Sequence, residues 1–381
     1  MNRKRRKGMK KRFTAILCTV AASLLLGACG GNTASEKTET TAGKSQAEGT
    51  EAQAQADGET NPMVVTEPIT LRFASSGSGG SDYTDIGTII TFLSEDGILP
   101  SGSTLTQETI SGGTSTSGYL IEAGQADICR GQNAFSATVG FNGREPYSKV
   151  RALFGAGGNS VCLQVASESF KKKSGCATIE EIIENKYPAR ICSEDVGSSD
   201  YVLLNYIFEI YGIDAETFES WGGSITYTGN DTASEMMQDG SCDIICMAST
   251  LTSATITELS MSTDVSISGF SDKIVDGLLE RGFAERYIPA GTFDQFPEDA
   301  RTAYLGTSLI VSEDMDERVA YTLTKVMVEN REKLAETCPT FKGMTLEGAI
   351  DEEITVVPLH SGAIKYFQDA GVLDSEGKPI G

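Results

Sequence analysis

Two short stretches of this 381-residue chain combine glycine with hydroxyl side chains in a form suited to holding an anion. They are Ser76-Gly77-Ser78-Gly79-Gly80 and Val196-Gly197-Ser198-Ser199-Asp200. Taking a carboxylate out of water is costly unless other donors replace the lost hydration. Free N–H groups at a helix N-terminus supply such donors, with a partial positive charge behind them. Glycine lets the backbone come close, and serine adds a hydroxyl donor. Each stretch alone also reads as an ordinary strand-to-helix turn with a serine N-cap. Two of them in matching positions weigh toward ligand contact. Tyr83 either caps a pocket or packs on its own helix. Gln132 lies just past a strand end, where ligands of α/β proteins gather. Arg130 is the candidate charge partner, because a guanidinium can hold a carboxylate through two parallel hydrogen bonds. It reads equally as a surface arginine of an acidic protein, and Arg144, Arg151 and Arg190 are alternatives. Ser249 and Thr250 follow another strand and line the second half of the site. Phe293 supplies a wall.

The elements that must position these residues alternate between two periods. Residues 69–74 (ITLRFA) read as a strand, and 83–95 as a helix with Ile86, Ile89, Ile90 and Leu93 on one face. Strands at 105–110 and 127–130 flank a helix at 117–122 that stops at Gly124. The pattern then repeats, with strands at 150–154, 161–165, 188–193, 242–247 and 305–312. Helices are expected at 179–184, 201–211, 232–238 and 317–333. Alternation of this kind implies βαβ crossovers and largely parallel sheets. Roughly 310 residues from Pro68 onward exceed what one core usually serves, so two lobes are expected.

The N-terminus reads differently. Arg3 to Arg12 is basic, 13–26 is apolar but short of the roughly 20 residues a span needs, and small residues follow. This is a secretory signal. Residues 30–66 are rich in Thr, Ala, Glu, Gln, Gly and Ser, with one apolar cluster at Met63-Val64-Val65, and read as a flexible tether. The formal charge is −22, and residues 1–28 hold eight Lys/Arg and no acid, so the remainder is eight charges more negative still. That balance argues against nucleic acid, which calls for basic patches. Cys129, Cys162, Cys192 and Cys246 sit inside apolar runs and read as small buried hydrophobes. With His360 the sole histidine, neither a zinc site nor a serine hydrolase is expected. No G-x-S-x-G elbow and no P-loop occur in the sequence. No enzyme activity, cofactor or metal is expected.

The sequence Leu26-Gly27-Ala28-Cys29 resembles a lipobox, which implies cleavage before Cys29 and lipid on its thiol. Residues 69–83 (ITLRFASSGSGGSDY) resemble the opening strand and loop of TAXI-type TRAP transporter solute receptors. The likeness continues in Gly112-Gly113-Thr114, in 123–127 (AGQAD) with Gln132, and in 150–153 (VRAL). It continues again in 196–200, in 288–293 (IPAGTF), in Glu329-Asn330 and in 358–363 (PLHSGA). Phe293 stands where the family often has tyrosine, and Arg130 where it often has a hydrophobic residue. The resemblance implies a periplasmic-binding-protein type II fold: two α/β lobes joined by hinge strands, with a ligand cleft between them. It further implies an extracytoplasmic, lipid-anchored monomer that delivers a glutamate-like or 2-oxoglutarate-like organic acid to membrane permease subunits. Type II receptors of ABC importers for nitrate, sulfonates or thiamine precursors are the alternative. On this reading residues 1–28 are signal, 29–67 tether, 68–163 with 307–381 the first lobe, and 164–306 the second, with crossings near Leu163 and 305–308.

Overall fold

The computed structural model describes residues 61–75, 81–109, 113–141, 143–251, 253–262, 264–293, 296 and 298–380. All belong to one compact unit, residues 59–381. The chain begins with β1 (Thr70–Ser75), α1 (Ser81–Leu93), β2 (Thr104–Thr109), α2 (Gly113–Glu122), β3 (Ile128–Gly131), α3 (Ala134–Thr138) and β4 (Val150–Gly155). Next come β5 (Ser160–Ser167), α4 (Glu168–Ser174), α5 (Ile179–Glu184), β6 (Arg190–Ser193), α6 (Ser199–Ile210), α7 (Ala215–Ser220) and β7 (Ser224–Tyr227). They are followed by α8 (Asn230–Gln238), β8 (Ile244–Ser249), α9 (Ala254–Ser262), β9 (Val265–Ser268), α10 (Asp272–Leu279), β10 (Ala284–Ile288) and β11 (Ala300–Leu305). It closes with β12 (Ser308–Ser312), α11 (Glu317–Glu329), α12 (Arg331–Ala335), α13 (Leu346–Ile350), α14 (Glu352–Thr355) and α15 (Ser361–Asp369).

The strands form two sheets. The first has the order β2-β1-β3-β12-β4, with β1, β2 and β3 parallel and β12 antiparallel to both its neighbours. The second has the order β10-β11-β5-β8-β6-β7, with β9 also on β5. There β6, β7 and β8 are parallel, and β5 runs against β8. In the first sheet four strands (β1–β4) run one way and β12, from the other end of the chain, runs against them; in the second the parallel trio β6–β8 is extended through antiparallel β5 to β9 and the β10–β11 hairpin. This is the type II periplasmic-binding-protein arrangement of two α/β lobes.

Local sequence explains the elements. All eight residues of β5 are buried, as a central strand requires. At α5, Thr178 and Glu181 form a reciprocal capping box that starts the helix. At α6, Gly197 takes φ +98° and Ser198 caps the helix by accepting from Tyr201 N–H at 3.1 Å. One apolar cluster (Phe73, Ile89, Leu309, Leu323 among others) covers one face of the first sheet. Another, with Leu163, Ile245, Met247 and Ile288, covers one face of the second.

Several expectations are corrected. Residues 305–312 are not one strand: Gly306 and Thr307 separate β11 in the second sheet from β12 in the first. The helix expected at 317–333 breaks at Asn330 into α11 and α12. Leu163 is not at a crossing, because β5 already belongs to the second sheet from Ser160; the chain crosses at residues 156–159 and again at 306–307. The end of the expected tether is docked. Asn61 Nδ2 donates to Tyr321 Oη at 2.8 Å, Val65 N–H to Thr322 Oγ1 at 2.9 Å, and Arg318 to the carbonyls of Pro62 and Val64. The apolar Met63 and Val64 give this segment something to bury against α11. Cys29 and the signal lie outside the described residues. The seven described cysteines are free and buried, so the thiols at 176, 242 and 338 join the four expected in the core.

Candidate functional site

The two crossings locate the site. The carboxyl end of β4 leads into residues 156–159, and β4 runs with β3, so this crossing leaves the carboxyl edge of the first sheet. It enters β5 where Val161 pairs with Ser249, the carboxyl end of β8. The second crossing leaves β11 where Tyr304 pairs with Val161, and enters β12 where Ser308 pairs with Gly131 and Gly155. Both crossings thus join the carboxyl edge of one parallel set to the carboxyl edge of the other. The edges face each other, which is where α/β folds bind ligands.

On the first side, Gln107 Nε2 donates to Ser75 Oγ and to the carbonyl of half-buried Tyr83, both at 2.9 Å, tying the end of β1 to the start of α1. The loop Ser76 to Gly80 between them lies outside the described residues. Gln132 is buried and accepts from Thr114 Oγ1 at 3.0 Å, holding the start of α2. Next to it, Asn133 donates to Ser308 Oγ at 2.7 Å and accepts from Tyr147 Oη at 2.6 Å.

Arg130 is not the solvent-facing arginine of the bland reading. Its side chain is 12% exposed and pairs through Nη1 with Asp85 Oδ2 at 3.5 Å; the Asp85 side chain is 2% exposed. Thr340 Oγ1 donates to the same carboxylate at 2.6 Å. Arg130 Nε is buried and has no partner among the described residues. Arg130 stands opposite Leu309 on β12, and Thr307 lies in the crossing two residues before Leu309. Thr307 Oγ1 is also buried without a partner. A guanidinium N–H and a hydroxyl near the carboxyl edge of the first sheet are thus buried and unpartnered among the described residues. The other candidate arginines are committed elsewhere: Arg151 with Glu313, Arg190 with Asp243, and Arg144 over the Tyr119 ring, 5.0 Å from its centroid.

On the second side, the Ser198 hydroxyl is spent on its own helix, and Ser198 N–H donates to Asp195 O at 3.0 Å. Ser199 and Asp200 open α6, and the first N–H groups of a helix find no acceptor within it. Asp200 is buried and accepts from Ala248 N–H at 3.0 Å. Burial, then Glu194 close by, holds its carboxyl well above the usual carboxylate range. Burial, then Asp195, raises Glu194 as well. Ser249 and Thr250 are half-buried at the end of β8. Phe293 is not brought to this edge. It follows Ile288, which pairs with Ala300 at the end of the hairpin away from the crossing, and it packs 5.9 Å from Phe296.

The sequence reading did not single out Asp85, Asn133, Glu194 or Thr307. The one available signal was an acid on an apolar helix stripe, present in α1 and α6. A cavity of about 760 Å³ flanks the facing edges without including them; Arg144, Tyr201, Tyr206 and Arg281 are in its wall.

The structure is similar to the periplasmic binding protein BugD, at 15% identity over 80% of this chain and 98% of that one, with TM-score 0.43. MatC from Rhodopseudomonas palustris with bound malate gives 14%, 80%, 96% and 0.43. The alkanesulfonate-binding protein SsuA from Xanthomonas axonopodis pv. citri bound to MOPS gives 13%, 80%, 92% and 0.38. A family model described as NMT1-like matches residues 73–371, from the first strand of the first sheet to the turn after α15. That span carries both sheets, both crossings and every described candidate residue, and the chain belongs to the NMT1-like family.

Proposed function

We propose that the chain is the extracytoplasmic receptor of a TRAP transporter of the TAXI type, anchored by lipid at Cys29, and that it captures a small organic acid. The observation that carries the reading is the pair of buried, unpartnered donors at the facing edges, Arg130 Nε and Thr307 Oγ1. Asp85 engages the guanidinium through Nη1, which leaves Nε for the ligand. The helix starts of the first half add main-chain donors. On this reading residues 68–155 with 308–381 move as one lobe and 160–305 as the other. An acid bridging them gains contacts available only when they are closed, which shifts the population toward the form the permease subunits receive. No catalytic step is part of this function.

The test is native mass spectrometry of the protein purified from its own host without denaturation, followed by calorimetry with the acid so identified. A co-purifying carboxylate that rebinds the emptied protein is the expected result. A retained ligand without any acidic group would refute the reading. Uptake by the reconstituted importer separates the transporter classes: drive by an ion gradient supports TRAP, and drive by ATP refutes it.

A further inference from the structure

Besides the two main-chain crossings, the halves are joined by aromatic side chains. On the first side α3 is tied to its own half. Ser136 Oγ donates to Ser115 O on α2 at 2.6 Å, and Asn133, just before α3, donates to Ser308 Oγ on β12. Phe135 on this helix is fully buried, yet rings of the other half lie against it. Tyr206 on α6 stands 5.9 Å away between centroids, and Phe283, just after α10, 6.1 Å. Tyr206 and Phe283 meet edge to face at 6.4 Å, and Phe141 of the first half completes the group, 5.7 Å from Phe135. These are separations that aromatic pairs favour. The main chains close in as well. Gly282 takes φ +88°, and a Cβ there would lie 2.2 Å from both Ala134 O and Thr138 Oγ1. Gly282 and Phe283 are held to α10 by N–H bonds to Leu279 O and Leu278 O, so the turn belongs with the second half. One apolar cluster thus runs through both halves, from Ala74 and Phe135 to Leu203 and Ile274. The seam is nevertheless not a filled core. The cavity of about 760 Å³ lies along it, with Phe141 and Arg144 on one wall and Tyr201, Tyr206 and Arg281 on the other. A permanent interior is close-packed; an aromatic patch beside so large a void is a joint that can part.

We propose that Phe135, Tyr206, Gly282 and Phe283 form a latch that holds the two halves closed without cargo. The proposal goes beyond the organic-acid reading and rests only on its premise that the halves swing. Opening takes the Phe135 and Phe283 rings out of apolar surroundings into water, which costs free energy in proportion to the area exposed. Among the described residues no ion pair crosses this contact. Arg281 lies 5.1 Å from the Tyr206 ring centroid and pairs with Glu209 at 3.6 Å, all within the second half. Salt therefore does not release the latch, since screening acts on charges. A cargo adds to a closed population that already exists, and only a partner with higher affinity for the open form draws the halves apart.

The test is pulsed electron–electron distance measurement on the full chain, with nitroxide labels on Thr91→Cys in α1 and Glu219→Cys in α7, both exposed and one in each half. The seven described native thiols are buried and out of the reagent's reach. The protein is emptied by unfolding, dialysis and refolding, and native mass spectrometry checks that no small molecule is bound. With the latch intact, at least about 90% of the emptied protein is expected at the separation seen in the structure. Raising the salt from about 0.05 M to about 1 M should leave that distribution unchanged. Phe283→Ala and, separately, Gly282→Ala should each move more than about half of the population to a longer distance. If Phe283→Ala does not fold, Gly282→Ala decides, because it removes nothing from the core. Emptied protein that is mostly at the longer distance with the latch intact would overturn the proposal. So would folded variants whose distributions match that of the intact latch. None of these arms uses a ligand, so the organic-acid reading stands or falls separately, on its own calorimetry.

Discussion

Replacing Arg130 by methionine separates the two roles that the structure gives this side chain. Arg130 and Asp85 form an ion pair at 3.5 Å with side chains 12% and 2% exposed. Without the guanidinium, Asp85 keeps one side-chain donor among the described residues, the Thr340 hydroxyl at 2.6 Å. Breaking a buried pair from one side costs about 3–5 kcal/mol, because the surviving charge is uncompensated. The single variant Arg130→Met should therefore lose about that much in urea denaturation. The double variant Arg130→Met/Asp85→Leu removes the stranded charge and leaves only the Thr340 hydroxyl without its acceptor, at about 1–3 kcal/mol. It should recover most of the loss. Ligand affinity behaves differently. Both variants lack the Nε donor, so both should bind the retained acid at least about 10-fold more weakly in calorimetry. A single variant that loses less than about 1 kcal/mol would refute the energetic argument. A stable double variant with wild-type affinity would show that Arg130 only props up the first half.

Gly306→Ala should be strongly destabilising, because an added Cβ would lie 2.3 Å from Ile354 O and 2.5 Å from Ile354 Cα. A loss of about 1–3 kcal/mol or more is expected in the same denaturation assay. An unchanged midpoint would mean that the α14 segment gives way freely. Cys29→Ser should move the protein from the membrane fraction to the medium without changing its ligand affinity, as fractionation and calorimetry would show. Retention on the membrane would exclude the lipid anchor.

Much of the architecture was legible because period and punctuation agree. The alternation at 69–74, the apolar stripe of α1 and the Thr178–Glu181 capping box each specify a local answer that packing then keeps. What failed to show is long-range. The run from Leu305 to Ser312 reads as one apolar strand, and only pairing reveals that Gly306 divides it between sheets. The hairpin of β10 and β11 was missed because residues such as Glu285, Arg286 and Arg301 present it as polar surface. In the site, Asp85 was lost among 53 Asp and Glu residues, and Asp200 was named only as part of its glycine-serine loop. Burial distinguishes them, and burial depends on what the rest of the chain places over the helix. Arg130 could be suspected from its type, but its partner is 45 positions away in sequence. For Phe293, beyond the loop end of the β10–β11 hairpin, one-dimensional order does not say which end of a hairpin adjoins the crossing.

The crossings themselves carry a mechanical consequence. Gly157 and Gly158 both donate N–H to Thr340 O, Ala156 N–H donates to Thr307 O at 2.7 Å, and Thr307 N–H donates to Asn159 Oδ1 at 2.8 Å. A Cβ on Gly157 would sit 2.4 Å from the Lys342 carbonyl oxygen. The two connecting strands are thus stitched to each other and to the segment after α12, which belongs with the first sheet. They form part of the frame, and any swing of the second sheet must be taken up by the few bonds where residues 159–160 and 305–306 leave that frame. If the chain serves as the receptor proposed above, it would open as a door on a fixed post, and the post would meet a permease in the same attitude whether the door stood open or shut, leaving the angle of the second sheet as the readable mark of cargo.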